Sequence, residues 1–193
     1  MEVNYDIEYI DDIHTYLING IIAPSVTQII SKIFPDTYSN IPRHILDKAC
    51  EFGTSVHEMI EKYEKGEHFQ TSPLLDEILD GYCDICGDNE IEVINMEQFI
   101  HYEDLYAGRY DILAKVKGLT SIIDIKTTSK VHDDMLEWQL GMYKSAIERH
   151  TDTKIEKGYC LWLPKRNAPR LLEIKPKSEL EIKEMLNEIN NAR

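Results

Sequence analysis

Asp124 and Lys126 stand two apart in the run Ser121-Ile122-Ile123-Asp124-Ile125-Lys126-Thr127-Thr128. Its three isoleucines read as a buried strand. Side chains two apart on a strand share a face, so the acid and the base point the same way from a segment that should be largely buried. Burying a charge is costly unless it is paired or bound to a metal. Two chemistries fit: an ion pair at a strand end, or a metal ligand beside a charged group that positions water or moves a proton. Asp111 lies on the preceding strand. Folding Arg109–Val116 back onto Ser121–Lys126 through Lys117-Gly118 brings Asp111 and Asp124 to one end of neighbouring strands. Two carboxylates placed so repel unless a cation joins them, and hard oxygen donors suit Mg2+ or Mn2+. Lys126 on the same face could deprotonate or orient an attacking water. The set predicts hydrolysis of a phosphodiester by metal-activated water.

The elements that must hold these residues follow from periodicity. Residues 3–22 alternate loosely, and Asn19-Gly20 before Ile21-Ile22 signals a β-hairpin. Ser25 caps a helix over Val26–Phe34, stopped by Pro35. Pro42 opens a helical stretch that Gly53 interrupts. Ser55-Val56-His57-Glu58 matches a capping box, which restarts a helix with His57 in its first turn, running to Gly66. Leu74, Leu75, Ile78, Leu79 and Tyr82 mark the next helix, ended by Gly87-Asp88-Asn89. Strands are expected at Ile91–Ile100, Arg109–Val116 and Ser121–Lys126, with Asp104–Ala107 a turn or short extension. A helix over 134–149 separates them from strands at 155–163 and Arg170–Ile174, and Ser178 caps a last amphipathic helix. The pattern predicts an α/β (α+β) domain: a mixed sheet of about four or five strands flanked by helices, with an amino-terminal hairpin. One domain is expected over 1–193, divided into a hairpin and helix (1–40), a core (42–175) and a closing helix (178–193).

Composition narrows the class. The 193 residues are 42% hydrophobic and 29% charged, as in soluble globular proteins. No apolar run approaches the roughly 20 residues of a membrane helix. An acidic amino terminus without an apolar stretch sets the cytoplasm, of a cell or of an infected host cell, as the expected location. The net charge of -14 argues against a protein that coats nucleic acid by bulk electrostatics. Lys154–Lys177 is locally basic and offers a strip to a phosphate backbone or a solvated face. Cys50, Cys83, Cys86 and Cys160 include one Cys-x-x-Cys, a weak metal signal without a second pair; free thiols are expected. Trp162 and Tyr159 could stack on bases, though core packing explains them as well.

Asp111 followed by Asp124-Ile125-Lys126 resembles the core of the PD-(D/E)XK nuclease superfamily. Gly53-Thr54-Ser55-Val56-His57 is similar to the GxxxH helix motif of its RecB-like branch. Ala107-Gly108-Arg109-Tyr110-Asp111 resembles the run around the first acid, and Gln139-Leu140-Gly141-Met142-Tyr143 the QxxxY helix motif. All four stand in the family's order over roughly residues 50–145. His14-Thr15-Tyr16, Asn19-Gly20 and Pro24-Ser25-Val26-Thr27 also look like phage and mitochondrial exonucleases of that branch. The resemblance implies a restriction-endonuclease-like core. His57, Asp111, Asp124 and the main-chain carbonyl of Ile125 would hold Mg2+ or Mn2+, with Glu97 a further acid nearby. Lys126 would assist the attacking water. Gln139 and Tyr143, four apart on one helix face, would line the site and hold Lys126 or the DNA, while Ser55 and Arg109 could touch phosphate. The iron–sulfur members place one cysteine ahead of the histidine helix and three near the end; this chain does not, so no cluster is expected.

The residues thus predict a metal-dependent DNA nuclease, an exonuclease on DNA ends or single strands. The competing classes are a non-catalytic nucleic-acid-binding module on the same fold and a nuclease subunit active only inside a recombination or replication complex. Binding alone needs no Asp, Asp, Lys and His cluster, whereas an acidic surface suits a subunit.

Overall fold

A computed structural model describes residues 7–10 and 15–191, apart from the side chain of Asn190. Residues 3–6 of the expected alternation, His14 and the last two residues lie outside the described residues.

The sheet that carries the site has five strands: β4 (Ile91–Tyr102), β5 (Tyr106–Val116), β6 (Leu119–Lys126), β7 (Lys157–Trp162) and β8 (Arg170–Ile174). Their order is sequential. β4, β5 and β6 form an antiparallel meander, β6 and β7 are parallel, and β8 returns antiparallel. A parallel neighbour needs a crossover, which α4 (Asp133–His150) provides. A mixed sheet flanked by helices was the expected class. The turn after β4 is shorter than expected, because Tyr102 already pairs with Tyr106.

Alternation along β6 sorts the layers. Ile123 and Ile125 join Val56, Ile60, Ile78 and Tyr82 in one apolar cluster, beneath α2 (Arg43–Glu64) and α3 (Pro73–Asp88). Ile122 faces the other way, into a cluster with Val26, Ile29, Leu136, Leu140 and Ile182 from α1 (Val26–Ile33), α4 and α5 (Glu179–Asn191). Burying an isoleucine side chain contributes about 1.5–3 kcal/mol, so two such layers fix which face each β6 residue takes. Asp124 therefore lies on the α4 side.

The amino-terminal unit holds the expected hairpin: β2 (Thr15–Ile18) and β3 (Ile21–Ala23) pair antiparallel, and β1 (Ile7–Ile10) pairs with β2 on its other side. Asn19 (φ 51°) and Gly20 (φ 77°) make the turn between β2 and β3; asparagine and glycine tolerate that left-handed backbone best. Gly53 does not interrupt α2, a single helix of 22 residues. Its buried face of Val56, Met59 and Ile60 outweighs the roughly 1 kcal/mol penalty of an internal glycine. The capping box at Ser55 does not form; the Ser55 hydroxyl donates to the Glu51 carbonyl at 2.9 Å. Ser25, by contrast, caps α1 with Gln28 as its reciprocal partner.

Candidate active site and metal centre

The site sits where the ladder between β5 and β6 ends. Their pairing runs to Ile112–Ile123, so Asp111 and Asp124 face each other one step beyond it. The Ile125 amide, which would have continued the ladder, donates instead to Asp111 Oδ2 at 2.6 Å. The carboxylate wedges the strands apart and leaves the Ile125 carbonyl for other partners. Glu97 takes the equivalent step on β4, between the pairs Met96–Ile112 and Gln98–Tyr110. Its φ is 50°. A non-glycine residue in that region within a strand is strained by about 1–3 kcal/mol; here the kink aims Glu97 at the same point. Three acids from three adjacent strands thus meet at one gap in the sheet.

α2 brings His57 to that gap. Nδ1 lies 3.1 Å from Glu97 Oε1 and 3.8 Å from Asp111 Oδ1, and Nε2 lies 3.3 Å from the Ile125 carbonyl. Arg109 Nε holds Glu97 Oε2 at 2.8 Å. On the other side, Lys126 Nζ lies 2.6 Å from Asp124 Oδ2. That approach is a charge contact rather than an aligned hydrogen bond, and both buried oxygens of Asp124 otherwise lack a partner. A cavity of about 280 Å³ joins these groups, lined also by Tyr16, Ser25, Thr27, Gly108, Gln139 and Tyr143. A larger open recess of about 840 Å³, lined by Ile94, Leu113 and residues 152–156, holds none of them.

Charge explains the protonation of the site. Burial pushes the His57 imidazole down, but Asp111, Glu97 and Asp124 outweigh it and raise the group to about 9. The imidazolium then donates to Glu97 and to the Ile125 carbonyl. Burial is also the largest influence on Asp124, and with Asp111 it pushes that carboxyl up to about 6 against the pull of Lys126. On Lys126 burial acts downward, but Asp124 and Asp111 outweigh it and keep the ammonium charged. Three carboxylates face Arg109, Lys126 and the His57 imidazolium, so the pocket gains a net negative charge when His57 loses its proton.

That donor set fits a hard divalent cation. One atom each from His57, Glu97 and Asp111 lie within 4.8 Å of one another, near enough for one ion to reach all three. Asp124, with its unpartnered oxygens, and the Ile125 carbonyl adjoin the group.

Of the sequence-predicted residues, His57, Glu97, Asp111, Asp124, Lys126, Arg109, Gln139 and Tyr143 line one cavity, and Ile125 turns its carbonyl to it. Gln139 lies against the Tyr143 hydroxyl, whose proton burial and then the Asp111 and Asp124 charges hold well above the usual range. Ser55 is exposed and does not line the cavity. Tyr159 and half-buried Trp162 pack against the core, and Trp162 Nε1 donates to the Thr128 carbonyl. Cys50 lies on α2, Cys83 and Cys86 on α3 and Cys160 on β7, all as free thiols. In the basic strip, Lys157 pairs with Glu173 and Lys177 with Glu137. Tyr16, Ser25 and Thr27 were missed as lining residues. Their only sequence signal was the amino-terminal pattern, which gives no reason for β2 and the start of α1 to reach the site. They reach it because Ala107 donates its amide to the Pro24 carbonyl at 3.1 Å, tying the β3–α1 junction to β5. Val26 and Gly108 are the other missed residues: a Cβ on Gly108 would meet Tyr143 Cε1 at 2.9 Å and Val26 Cγ2 at 3.1 Å.

A family model for the PD-(D/E)XK nuclease superfamily matches residues 87–192, which hold every strand of the large sheet. The chain belongs to the PD-(D/E)XK nuclease superfamily. No curated protein matches it. Among solved structures it is similar to the crystal structure of SSO0001, 14% identical, with 89% of this chain and 76% of that chain covered and a TM-score of 0.48. PD-(D/E)XK nucleases generally use Mg2+ or Mn2+. No helix among the described residues is long and apolar enough to cross a membrane.

Proposed function

We propose that this chain is a Mg2+- or Mn2+-dependent deoxyribonuclease of the RecB-like branch, of the phage type, acting as an exonuclease on DNA ends or single strands. The observation that carries the reading is the meeting of His57, Glu97, Asp111 and Asp124 in one pocket with Lys126. Structural ion pairs need no three acids converging on an opened ladder. His57, Asp111, Asp124 and the Ile125 carbonyl would hold the cation, with Glu97 as a further acid. When bound, the ion supplies a Lewis acid that withdraws charge from the phosphate and acidifies water.

The chain's own groups do the rest. His57 would have to give up its proton to serve as a ligand, and the acids around it set how readily. Lys126, 30% exposed and charged, orients the attacking water and steadies the negative charge that grows on the phosphate oxygens. Gln139 and Tyr143 wall the pocket opposite the strands and keep the lysine in place. Arg109 binds phosphate at the mouth. The net charge of -14 favours a chain that works within a recombination or replication assembly in the cytoplasm of a bacterial or phage-infected cell.

The test is purified protein with Mn2+ and end-labelled single- and double-stranded DNA. Metal-dependent degradation that disappears in Asp124→Ala and Lys126→Ala is expected. Binding without cleavage under every metal condition would leave a non-catalytic module instead.

A further inference from the structure

We propose that Phe99 and Arg109 form a stacking platform for an unpaired nucleobase, so that the pocket takes single-stranded nucleic acid. This deepens the nuclease reading and rests on it. Phe99 and Arg109 are direct cross-strand partners on β4 and β5. They stand two residues beyond Glu97 on one strand and two before Asp111 on the other, roughly 7 Å along the sheet from the acids. Phe99 is 44% exposed. A large aromatic at the mouth of a polar pocket is either a spare apolar group or a surface that something covers.

Its surroundings favour the second. Tyr9 lies against the ring at 5.4 Å between centroids, and Tyr16, which lines the pocket, meets it edge-on at 6.1 Å. The ring is therefore braced from the protein side. The Arg109 guanidinium sits 5.9 Å from the ring centre and is anchored by Glu97 at 2.8 Å. The guanidinium over the ring and the exposed part of the ring make one composite surface, cationic and aromatic, the combination that single-strand binding uses.

Charge decides which nucleic acid fits. The chain carries -14, and among the residues lining the pocket only Arg109 and Lys126 are permanent cations. Phosphate contacts alone give such a surface little affinity. Stacking supplies what they lack, at about tenfold to a hundredfold per base. A base in a duplex has both faces covered by its neighbours, and only an unpaired base can lie on Phe99. With two cations engaged, log affinity against log salt should fall with a slope of about -1.4 for a single strand.

The experiment uses the full chain as wild type, Phe99→Ala, Phe99→Leu and Phe99→Trp. Binding of a fluorescein-labelled single strand, the same sequence as RNA, and a blunt duplex is followed by anisotropy with Ca2+ across a KCl series. Cleavage is followed separately with Mn2+. Single-strand affinity should fall about tenfold or more in Phe99→Ala and in Phe99→Leu, which fills the space without a π face, and return in Phe99→Trp. KM should rise by the same factor with kcat within about twofold, and duplex binding should not change. RNA showing the same dependence also supports the platform, because a ring face reads no sugar. Equal loss for single strand and duplex, no loss in Phe99→Leu, or no recovery in Phe99→Trp overturns it. A wild type that cleaves nothing refutes the nuclease reading itself. A wild type that cleaves while Phe99→Leu is indifferent refutes only the platform.

Discussion

Replacing Asp124 by Asn should stabilise the metal-free protein while abolishing cleavage. Asp124 is 1% exposed, its oxygens have no hydrogen-bond partner, and Asp111 faces it. Its carboxyl is pushed from the usual 3.8 up to about 6. A folded value above the unfolded one means that folding takes up a proton. The favourable contribution is complete below about 3.8 and is lost as pH rises through 6. At pH 7.5 holding the group ionised then costs up to about 3 kcal/mol, at 1.36 kcal/mol per unit. Asparagine removes that cost. The pull of Lys126, 2.6 Å away, is already contained in that shift, and Lys126 keeps Asp111 as a neighbour. The gain is therefore up to about 3 kcal/mol, or a midpoint higher by up to roughly 6–12 °C for a chain of this size. Thermal melts in EDTA at pH 7.5 and pH 4.5 measure it: the variant should lead at the higher pH and lose its lead at the lower. In Mn2+ the order should reverse, because only the wild type gains from ligand binding. A variant that melts below the wild type in EDTA at pH 7.5 would refute the reasoning, since Asp124 would then be a structural partner of Lys126 and not a charge waiting for a cation.

Three further outcomes are expected. His57 is raised from 6.5 to about 9, so its contribution is complete below pH 6.5 and fades as pH rises through 9. Metal-free protein should lose about 2–3 kcal/mol over that window, and His57→Gln should flatten the loss; identical slopes in the two proteins would argue against an imidazolium in the acid pocket. Gly108→Ala places a methyl 2.9 Å from Tyr143 Cε1, and overpacking there should cost about 1–3 kcal/mol in urea unfolding and lower kcat as Tyr143 shifts; an unchanged kcat would show that Tyr143 only packs. Glu97→Gln should weaken Mn2+ binding by about 10- to 100-fold, read by calorimetry; affinity within twofold of wild type would remove Glu97 from the cation's surroundings.

Most of the site was legible because its residues obey the periods of their elements. Asp124 and Lys126 share a face of β6 as strand alternation requires, and Gln139 and Tyr143 line one cavity from one face of α4. What could not be read is what depends on departures from those periods. Gly53 looked like a break because local propensity is visible in sequence, whereas the apolar face of α2 that outweighs it acts only once the sheet lies beneath. The role of Gly108 depends on Tyr143 and Val26, residues distant in the chain that meet only in the folded protein. Glu97 was a secondary candidate, since a left-handed residue within a strand leaves no mark in composition.

The same departures explain why the acids meet where they do. A continuous ladder from β4 to β6 would have bound the Ile125 amide and carbonyl to β5, and its side chains would have alternated between two apolar layers. No cation could then reach a carbonyl, and no three acids could share one point. The kink at Glu97 and the Asp111 carboxylate bonded to the Ile125 amide both interrupt the ladder at the step where Asp111 faces Asp124. The strain is carried by the isoleucines around the gap: Ile112, Ile123 and Ile125 are each about 1% exposed and lock the strands on either side. Strength in the apolar layer is therefore what permits an opened, acid-lined seam in the polar one, and a change that loosens the isoleucines should weaken cation binding before it unfolds the sheet.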